Sequence, residues 1–491
     1  MSRISDLRGK ATTGLFWSFS DLIARQGIQF VVHIVLARLL LPSDFGIIGM
    51  VTVFIAVSNT FIDSGFSQAL IRDQKVNQRD CSTVFYFNLL VACIIYVVLF
   101  FSAPAISRFF REPQLVTILR VLSLVLIINS FGLIQRTMLV KQIDFRTQTR
   151  IGIIASVLSG GAAILLAYLG FGVWSLVIRT LILQLTVSLL LMISNRWIPS
   201  MEFSFRSFKR LFSFGSRLLF SSLIGTVYKS IYNVIIGRFF LVSDLGFYTN
   251  ARRLEEVASH AVATSLQRVS YPVLSSIQED ESLLQHGFRK IIKASTFVNF
   301  PIMIILAAIA ESLIPGLLGE RWIPSVPYFQ LLCFAGMLYP LHAINLNILK
   351  VRGRSDLDLR AGIINKIAPT VLIVLVLSLG LGIMGLLWSV VISSYISFLI
   401  NTIYSKKVIS YSSYQQIRDV FPAFAIALLT GAVVYLAGNA LPFGNVLSSV
   451  SQVALGACLY IGLARLLKIK ELSVIKDLIF GGARRMKRRE L

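Results

Sequence analysis

The sequence predicts an all-α fold, a polytopic membrane protein of about fourteen transmembrane helices built as two parallel six-helix repeats plus two C-terminal helices. Three observations predict it. First, of 491 residues 56% are hydrophobic and only 14% are charged, with a mean hydropathy of +0.77, whereas soluble domains carry about 25% charged residues. Second, apolar stretches of about 20 residues, each long enough to cross a bilayer, use up nearly the whole length. No sizeable soluble domain is left over. Period-two alternation is absent, which excludes a membrane barrel and leaves helices to satisfy the backbone in lipid. Third, short motifs recur in order at near-constant spacing. Arg38-Leu-Leu-Leu-Pro-Ser-Asp44-Phe-Gly46 matches Arg238-Phe-Phe-Leu-Val-Ser-Asp244-Leu-Gly246. Arg150-Ile-Gly152 matches Arg360-Ala-Gly362, and Gly170-Phe-Gly172 matches Gly380-Leu-Gly382. Six spans separate equivalent positions, and an even number gives both halves the same orientation in the membrane.

The spans follow in order. A basic segment, Met1 to Lys10, precedes the first, 13–37, which is too long and too polar for a signal sequence and is read as retained. Ser18, Asp21, Arg25, Gln29 and His33 fall on one face of it, at steps of three or four. Asp21 and Arg25 have the i,i+4 spacing of an ion pair, acid first. The second span, 44–70, aligns Thr52, Asn59, Asp63 and Ser67. Spans at 82–103, 114–136, 150–169 and 173–194 complete the first half (1–195), with Arg120 and Arg179 as isolated intramembrane arginines. A cytoplasmic linker at 196–211, basic and carrying Trp197 and Pro199, joins the halves. The seventh span, 212–237, aligns Ser222, Thr226, Lys229 and Asn233. The eighth, 245–270, aligns Asn250, Arg253, Glu256, His260, Thr264 and Gln267, and Arg252 stands i,i+4 to Glu256. Spans at 289–311, 327–349, 360–379 and 383–404 finish the second half (212–405). Two extra spans, 420–438 and 446–466, occupy the segment 406–466, and a basic cytoplasmic tail covers 467–491.

A full charge at bilayer depth costs at least about 3 kcal/mol unless it faces protein or water. The charged stripes lie on the first, second, seventh and eighth spans, which are equivalent pairs in the repeat. They predict a polar cavity that takes an anion, with Arg25, Lys229, Arg252 and Arg253 as cationic contacts. Gln29, Asn59, Asn233 and His260 either line that cavity or tie helices together, since amides and hydroxyls commonly do the latter in bundles. Asp21, Asp63 and Glu256 are candidates for coupling to a proton or Na⁺. Guanidinium forks and a lysine ammonium suit phosphate oxygens, so phosphate or pyrophosphate is the expected charged part of the cargo.

The net charge of +24 concerns topology, not nucleic acid. About 35 of the 47 Lys and Arg residues lie in alternate loops and the termini. The opposite loops hold Arg38, Arg108, Arg111, Arg238 and Arg321. The positive-inside rule then sets both termini in the cytoplasm, and Arg484 to Arg489 meet anionic membrane lipids. The four cysteines form neither a disulfide framework nor a metal site. No phosphate-binding loop is present, no cofactor motif is found, and the outer loops hold no acid–base cluster. A transporter, not an enzyme, is expected. A multidrug exporter, which would need an acidic cavity, and a membrane-bound polysaccharide polymerase remain as alternatives.

The chain resembles the Wzx-type polysaccharide flippases of the multidrug/oligosaccharidyl-lipid/polysaccharide exporter superfamily, nearest the branch for exopolysaccharides such as colanic and teichuronic acids. The resemblance rests on Leu36-Ala37-Arg38 with Asp44-Phe45-Gly46, and on Asp63-Ser64-Gly65-Phe66 with Gln68 and Arg72. It continues in Tyr271-Pro272-Val273-Leu274, Asn299-Phe300-Pro301, Gly319-Glu320-Arg321-Trp322 and Leu331-Leu332-Cys333. It implies fourteen helices and transfer of an undecaprenyl-pyrophosphate-linked oligosaccharide across a bacterial cytoplasmic membrane, alongside a polysaccharide polymerase and export machinery. It assigns no individual binding residue.

Overall fold

The computed structural model describes residues 24–73, 75–195, 197–438, 445–467 and 469. Described residues are helical or in turns, and the chain is a multi-pass membrane protein. Among them, twelve helical stretches are long and apolar enough to cross a membrane. The predicted count of about fourteen also includes the first span, described only from residue 24, and the eighth, whose charges keep it out of the apolar set. The chain forms two compact units, Met1–Gly246 and Phe247–Leu491.

The first unit contains α1 (24–39), α2 (Pro42–Asp63), α3 (Phe66–Arg72), α4 (Gln78–Phe110) and α5 (Leu115–Leu122). It continues with α6 (Leu124–Lys141), α7 (Phe145–Tyr168), α8 (Val173–Asn195), α9 (Phe205–Phe239) and the first turn of α10 (Val242–Ser276). Two predicted spans are broken in the middle. The second becomes α2 and α3, parted by Ser64 and Gly65 with left-handed φ of 45° and 72°. At that break the backbone of α9 passes so close that a Cβ on Gly65 would lie 2.5 Å from the Gly215 carbonyl oxygen. Only two glycines permit this approach. The fourth span is split at Ser123.

α4 shows how a charge is used at bilayer depth. Pro104 sits inside the helix and has no N–H for the carbonyl four residues back, that of Phe100. Arg120 of α5 donates its Nε–H to the Phe100 carbonyl at 3.1 Å, with its guanidinium 4.3 Å over the Phe100 ring. Arg120 therefore closes a hydrogen-bond gap between helices. Lys141 donates to the Leu70 carbonyl (3.0 Å) at the end of α3, and Arg238 to the Phe109 carbonyl (2.6 Å) at the end of α4.

The predicted linker is strapped to the start of α4. Ser200 N–H donates to Ser82 Oγ (2.9 Å), Ser204 N–H to Thr83 Oγ1 (3.0 Å) and Gln78 Nε2 to the Ile198 carbonyl (2.6 Å). Asp80 is buried, completes a capping box with Asn77 and pairs with Arg210 at 2.8 Å. The linker is already helical from Phe205 on.

The motifs matched by the repeat take the same local geometry. Asp44 Oδ2 accepts from Leu41 N–H (2.9 Å), and Asp244 Oδ2 accepts from Leu241 N–H (3.3 Å). Gly170 and Gly172 have φ of 84° and 53°, Gly380 and Gly382 of 62° and 67°. Within the first unit Gly46 and Gly246 also face each other's motif. A Cβ on Gly46 would fall 2.0 Å from the Val242 carbonyl oxygen, and one on Gly246 would fall 1.9 Å from that of Pro42.

The second unit holds the rest of α10, then α11 (Glu281–Ala308), α12 (Ala310–Leu318), a 3₁₀ turn (Glu320–Ser325), α13 (Val326–Gly336) and α14 (Tyr339–Val351). α15 (Ser355–Ser378), α16 (Gly382–Lys406), α17 (Ser413–Gly438) and α18 (Asn445–Leu466) follow. α11 starts at Asp280, whose carboxylate accepts from Leu283 N–H (3.0 Å) and Ser282 Oγ–H (2.8 Å). Those bonds, the Leu283 amide first, hold its carboxyl below the usual range. The predicted tenth span is split at Met337 and Leu338. α17, outside the repeat, docks on α11 through Asp419. That carboxylate takes Arg289 Nη2 at 2.8 Å, Lys293 Nζ at 3.4 Å and the Tyr411 hydroxyl at 2.7 Å. A polar chain crosses the unit from Asn365 Nδ2 to Asn401 Oδ1 (2.8 Å), and from Asn401 Nδ2 to His342 Nδ1 (3.2 Å).

Candidate functional site

The first unit contains a partly open cavity of about 150 Å³. Helical periodicity builds its walls. α1 supplies Arg25 and Gln29, one turn apart. α6 supplies Arg136. α7 supplies Gln148, Ile151, Gly152 and Ser156 from one face, and α8 supplies Leu183, Gln184, Val187 and Leu191. It lies near the α6–α7 turn, since Gln148 is in the first turn of α7 and Arg136 is in the last two turns of α6. Two guanidiniums and three primary amides face an apolar strip, and no carboxylate is among the described residues that line it.

Its polar groups are positioned from outside. Gln184 Nε2 donates to Asn129 Oδ1 (2.7 Å), and Asn129 Nδ2 donates to Asn59 Oδ1 (2.8 Å). This relay from α2 through α6 commits one of the two Gln184 amide hydrogens. Ser156 is 3% exposed with no partner for its Oγ, and Gln148 Nε2 is buried without one. Such unmatched buried groups are few in native proteins, and each calls for an explanation.

Arg25 and Gln29, both predicted, meet in this cavity. Asp21 lies outside the described residues. Asn59 acts at one remove, through Asn129. Asp63 does local work: its Oδ1 accepts from Ser67 Oγ–H at 2.5 Å and Ser67 N–H at 3.2 Å, capping α3 after the left-handed turn. Asn233 joins α9 to α2, donating Nδ2 to the Gly49 carbonyl at 3.4 Å, and Thr226 meets Thr60 at 3.1 Å. Lys229 is exposed on α9 without a hydrogen bond or ion pair among the described residues, and it does not line this cavity.

In the second unit Arg252 is engaged on its own helix, donating Nε–H to Glu256 Oε1 at 3.0 Å and Nη1–H to the Tyr248 hydroxyl at 2.6 Å. Glu256 is thereby paired. Arg253 is half-buried beside them. His260 stacks on Tyr339 with ring centroids 4.5 Å apart. Glu255, 7% exposed, lies so flat on α13 that a Cβ on Gly336 would fall 1.8 Å from its Oε1. The same unit carries an apolar cavity of about 770 Å³ lined by Phe334, Trp388, Tyr395 and Tyr435 among others, with no charged side chain.

Sequence reasoning missed Arg136, Gln148, Ser156 and Gln184. Arg136 stands at the end of its predicted span and reads there as a loop charge. The signal for the others was the run Gln148, Gly152, Ser156 at steps of four.

A family model described as polysaccharide biosynthesis protein matches residues 35–327. The teichuronic acid biosynthesis protein TuaB of Bacillus subtilis is 27% identical over 347 residues, 70% of this chain and 72% of that protein. The lipopolysaccharide biosynthesis protein WzxC of Escherichia coli is 24% identical over 440 residues, 88% of each. Among solved structures, the lipid II flippase MurJ in an inward closed conformation superposes with a TM-score of 0.73 at 14% identity, covering 95% of this chain and all of that one. That likeness shows a shared fold.

Proposed function

The chain belongs to the polysaccharide biosynthesis protein family, and from that premise we propose that it is a flippase. It moves an undecaprenyl-pyrophosphate-linked oligosaccharide across the bacterial inner membrane by alternating access. The observation that carries this reading is the cavity in the first unit that gathers two arginines and three primary amides. Guanidiniums at bilayer depth mark a polar path through the bundle, and with amides beside them they suit a hydroxyl-rich anionic cargo.

Membership and names support the transport step. Both relatives are named for making cell-surface glycans, and the solved neighbour is a lipid-linked sugar flippase. The charge sign argues against a drug exporter, whose cationic cargo would need carboxylates where the described lining of this cavity carries two arginines. In the proposed orientation both termini are cytoplasmic. The cavity beside the α6–α7 turn then opens toward the leaflet where lipid-linked glycans are assembled. Arg25, Lys229, Arg252 and Arg253 are the proposed cationic contacts, and the polyprenyl chain stays in lipid. Asp63 and Glu256 are the described carboxylates proposed for ion coupling. A polymerase in the same membrane is the proposed next user of the translocated unit.

Deleting the gene tests the proposal. Lipid-linked repeat units should accumulate on the cytoplasmic leaflet and polymer should disappear. The wild-type chain should restore output, and an Arg25→Gln/Lys229→Gln chain, present in the membrane at normal level, should not. Normal polymer from the deletion strain would refute the flippase reading.

A further inference from the structure

We propose that Arg108 and Arg111, at the end of α4, form a release site that holds the pyrophosphate of the translocated lipid at the outer leaflet. This rests on the flippase reading and on the orientation proposed with it.

Placement comes first. The positive-inside bias keeps Lys and Arg out of outer loops, where the sequence puts only Arg38, Arg108, Arg111, Arg238 and Arg321. All of these except Arg321 gather at one end of the first unit. Arg238, at the end of α9, donates to the Phe109 carbonyl and lies 5.0 Å over the Phe109 ring. That sets it beside Arg108 and Arg111. The two helix ends touch, since a Cβ on Gly237 would fall 3.0 Å from the Phe110 ring. Arg38 stands at the end of α1, whose turn into α2 meets the α9–α10 turn at Gly46 and Gly246.

The fold does not use two of these charges. Arg108 and Arg111 are exposed, and neither side chain makes a hydrogen bond or ion pair among the described residues. The acids at this end do not answer them. Asp44 and Asp244 accept from the amides of Leu41 and Leu241. Glu112, next in the chain, is half-buried, and burial pushes its carboxyl up. The backbone adds a second sign. Arg111 caps α4 with φ 61° and ψ 31°, the left-handed position that helices commonly fill with glycine. An arginine kept there against backbone preference points to work for its side chain.

The ligand follows from what surrounds the charges. Phe109, Phe239 and Leu241, at the same helix ends, are 46%, 61% and 71% exposed. A soluble phosphate would gain nothing from them, whereas a lipid lays its chain along that apolar rim and its head group on the guanidiniums. Two unpaired guanidiniums match a doubly charged pyrophosphate diester better than a singly charged phospholipid.

The test uses the full chain in lipid nanodiscs, with p-benzoylphenylalanine in place of the exposed Phe239 as a local photo-crosslinker. The probe is radiolabelled farnesyl pyrophosphate, a prenyl pyrophosphate that can be added from water. Crosslinking should saturate, and unlabelled probe should displace it far better than farnesol or inorganic pyrophosphate. Arg108→Gln/Arg111→Gln should weaken binding about tenfold, as expected for two exposed ionic contacts. Arg111→Gly should raise the thermal unfolding midpoint, because glycine suits the left-handed backbone, and still weaken binding. Unchanged crosslinking in the double variant would overturn the site. Equal displacement by farnesol, or loss of the crosslink when phosphatidylglycerol replaces phosphatidylcholine in the disc, would overturn the pyrophosphate assignment. In cells, an Arg111→Cys chain should react with a membrane-impermeant maleimide above the wild-type level, and no reaction would overturn the outer placement. Binding is read without transport, so normal polymer from the deletion strain would refute the flippase and leave the lipid contact standing.

Discussion

Replacing Gly46 with alanine should lower stability, although the same change in an open helix raises it. Glycine inside a helix costs about 0.5–1 kcal/mol relative to alanine. Both Gly46 and Gly246 lie in helical turns where they carry no positive φ. If nothing faced them, Gly46→Ala and Gly246→Ala would each stabilise by that amount. The structure puts the new methyl of the first 2.0 Å from the Val242 carbonyl oxygen and 2.9 Å from its carbon, and that of the second 1.9 Å from the Pro42 oxygen and 2.6 Å from its carbon. The obstacles are backbone atoms, so no rotamer change relieves the clash and the two turns must separate. Overpacking of this kind costs about 1–3 kcal/mol. Set against the propensity gain, each single variant should lose about 0.5–2 kcal/mol. One separation makes room for both methyl groups, so the double variant should lose less than the sum of the singles, with a coupling of about 0.5 kcal/mol or more. Tryptophan-fluorescence melting of the purified protein in nanodiscs reads all three, at about 2–4 °C per kcal/mol for a unit of this size. A rise in midpoint for either single variant, or strict additivity in the double, would refute the reciprocal contact.

Two further changes probe the polar frame. Arg120→Leu strips the Phe100 carbonyl of its donor and should cost about 1–3 kcal/mol; Pro104→Ala in the same chain returns a backbone N–H to that carbonyl and should recover most of the loss in the same melt. Asp419→Ala releases Arg289, Lys293 and the Tyr411 hydroxyl together; with Arg289 half exposed the loss should be about 1–3 kcal/mol, and limited proteolysis should cut first in the 407–412 connection, whereas unchanged protection there would show that α17 docks without this cluster.

The helices were legible because lipid imposes one rule, an unbroken apolar run, and hydropathy records it directly. Their interruptions were not. The breaks at Ser123 and Met337–Leu338 lie in apolar runs that a hydropathy window passes over, and the one at Ser64–Gly65 follows a single charge, Asp63. The first and third had a glycine as a local sign, Gly65 and Gly336, and the second had none. The overhanging ends were also hidden. α4 begins at Gln78 and α9 at Phe205, in polar segments that a membrane criterion counts as loop. They are helical because capping satisfies their first amides, by Asn77 with Asp80 and by Ser204. The paired glycine motifs were legible because positive φ restricts the residue: Gly170, Gly172, Gly380 and Gly382 all take it.

The site was half legible for a different reason. A charge on an apolar helix has three ways to be answered: by its own helix, by another helix's backbone, or by a cavity. The first leaves an i,i+4 trace, and Arg252–Glu256 and Ser67–Asp63 both show it. The other two leave none. Arg120 and Arg25 are both single guanidiniums within apolar spans, though Arg25 also has Asp21 at i−4. What separates them is a proline sixteen residues before Arg120 on a different helix, and a glutamine and serine more than a hundred residues after Arg25. Hydropathy measures how badly a charge fits lipid and is blind to what receives it. The receiving groups tell the two apart: a carbonyl orphaned by proline needs one donor and is then complete, whereas the wall beside Arg25 is made of amides, with Ser156 Oγ and Gln148 Nε2 unmatched. On that criterion Arg120 is tied to Pro104 and Arg25 is not: Pro104→Ala should recover most of what Arg120→Leu loses, and it should do nothing for a chain that lacks Arg25.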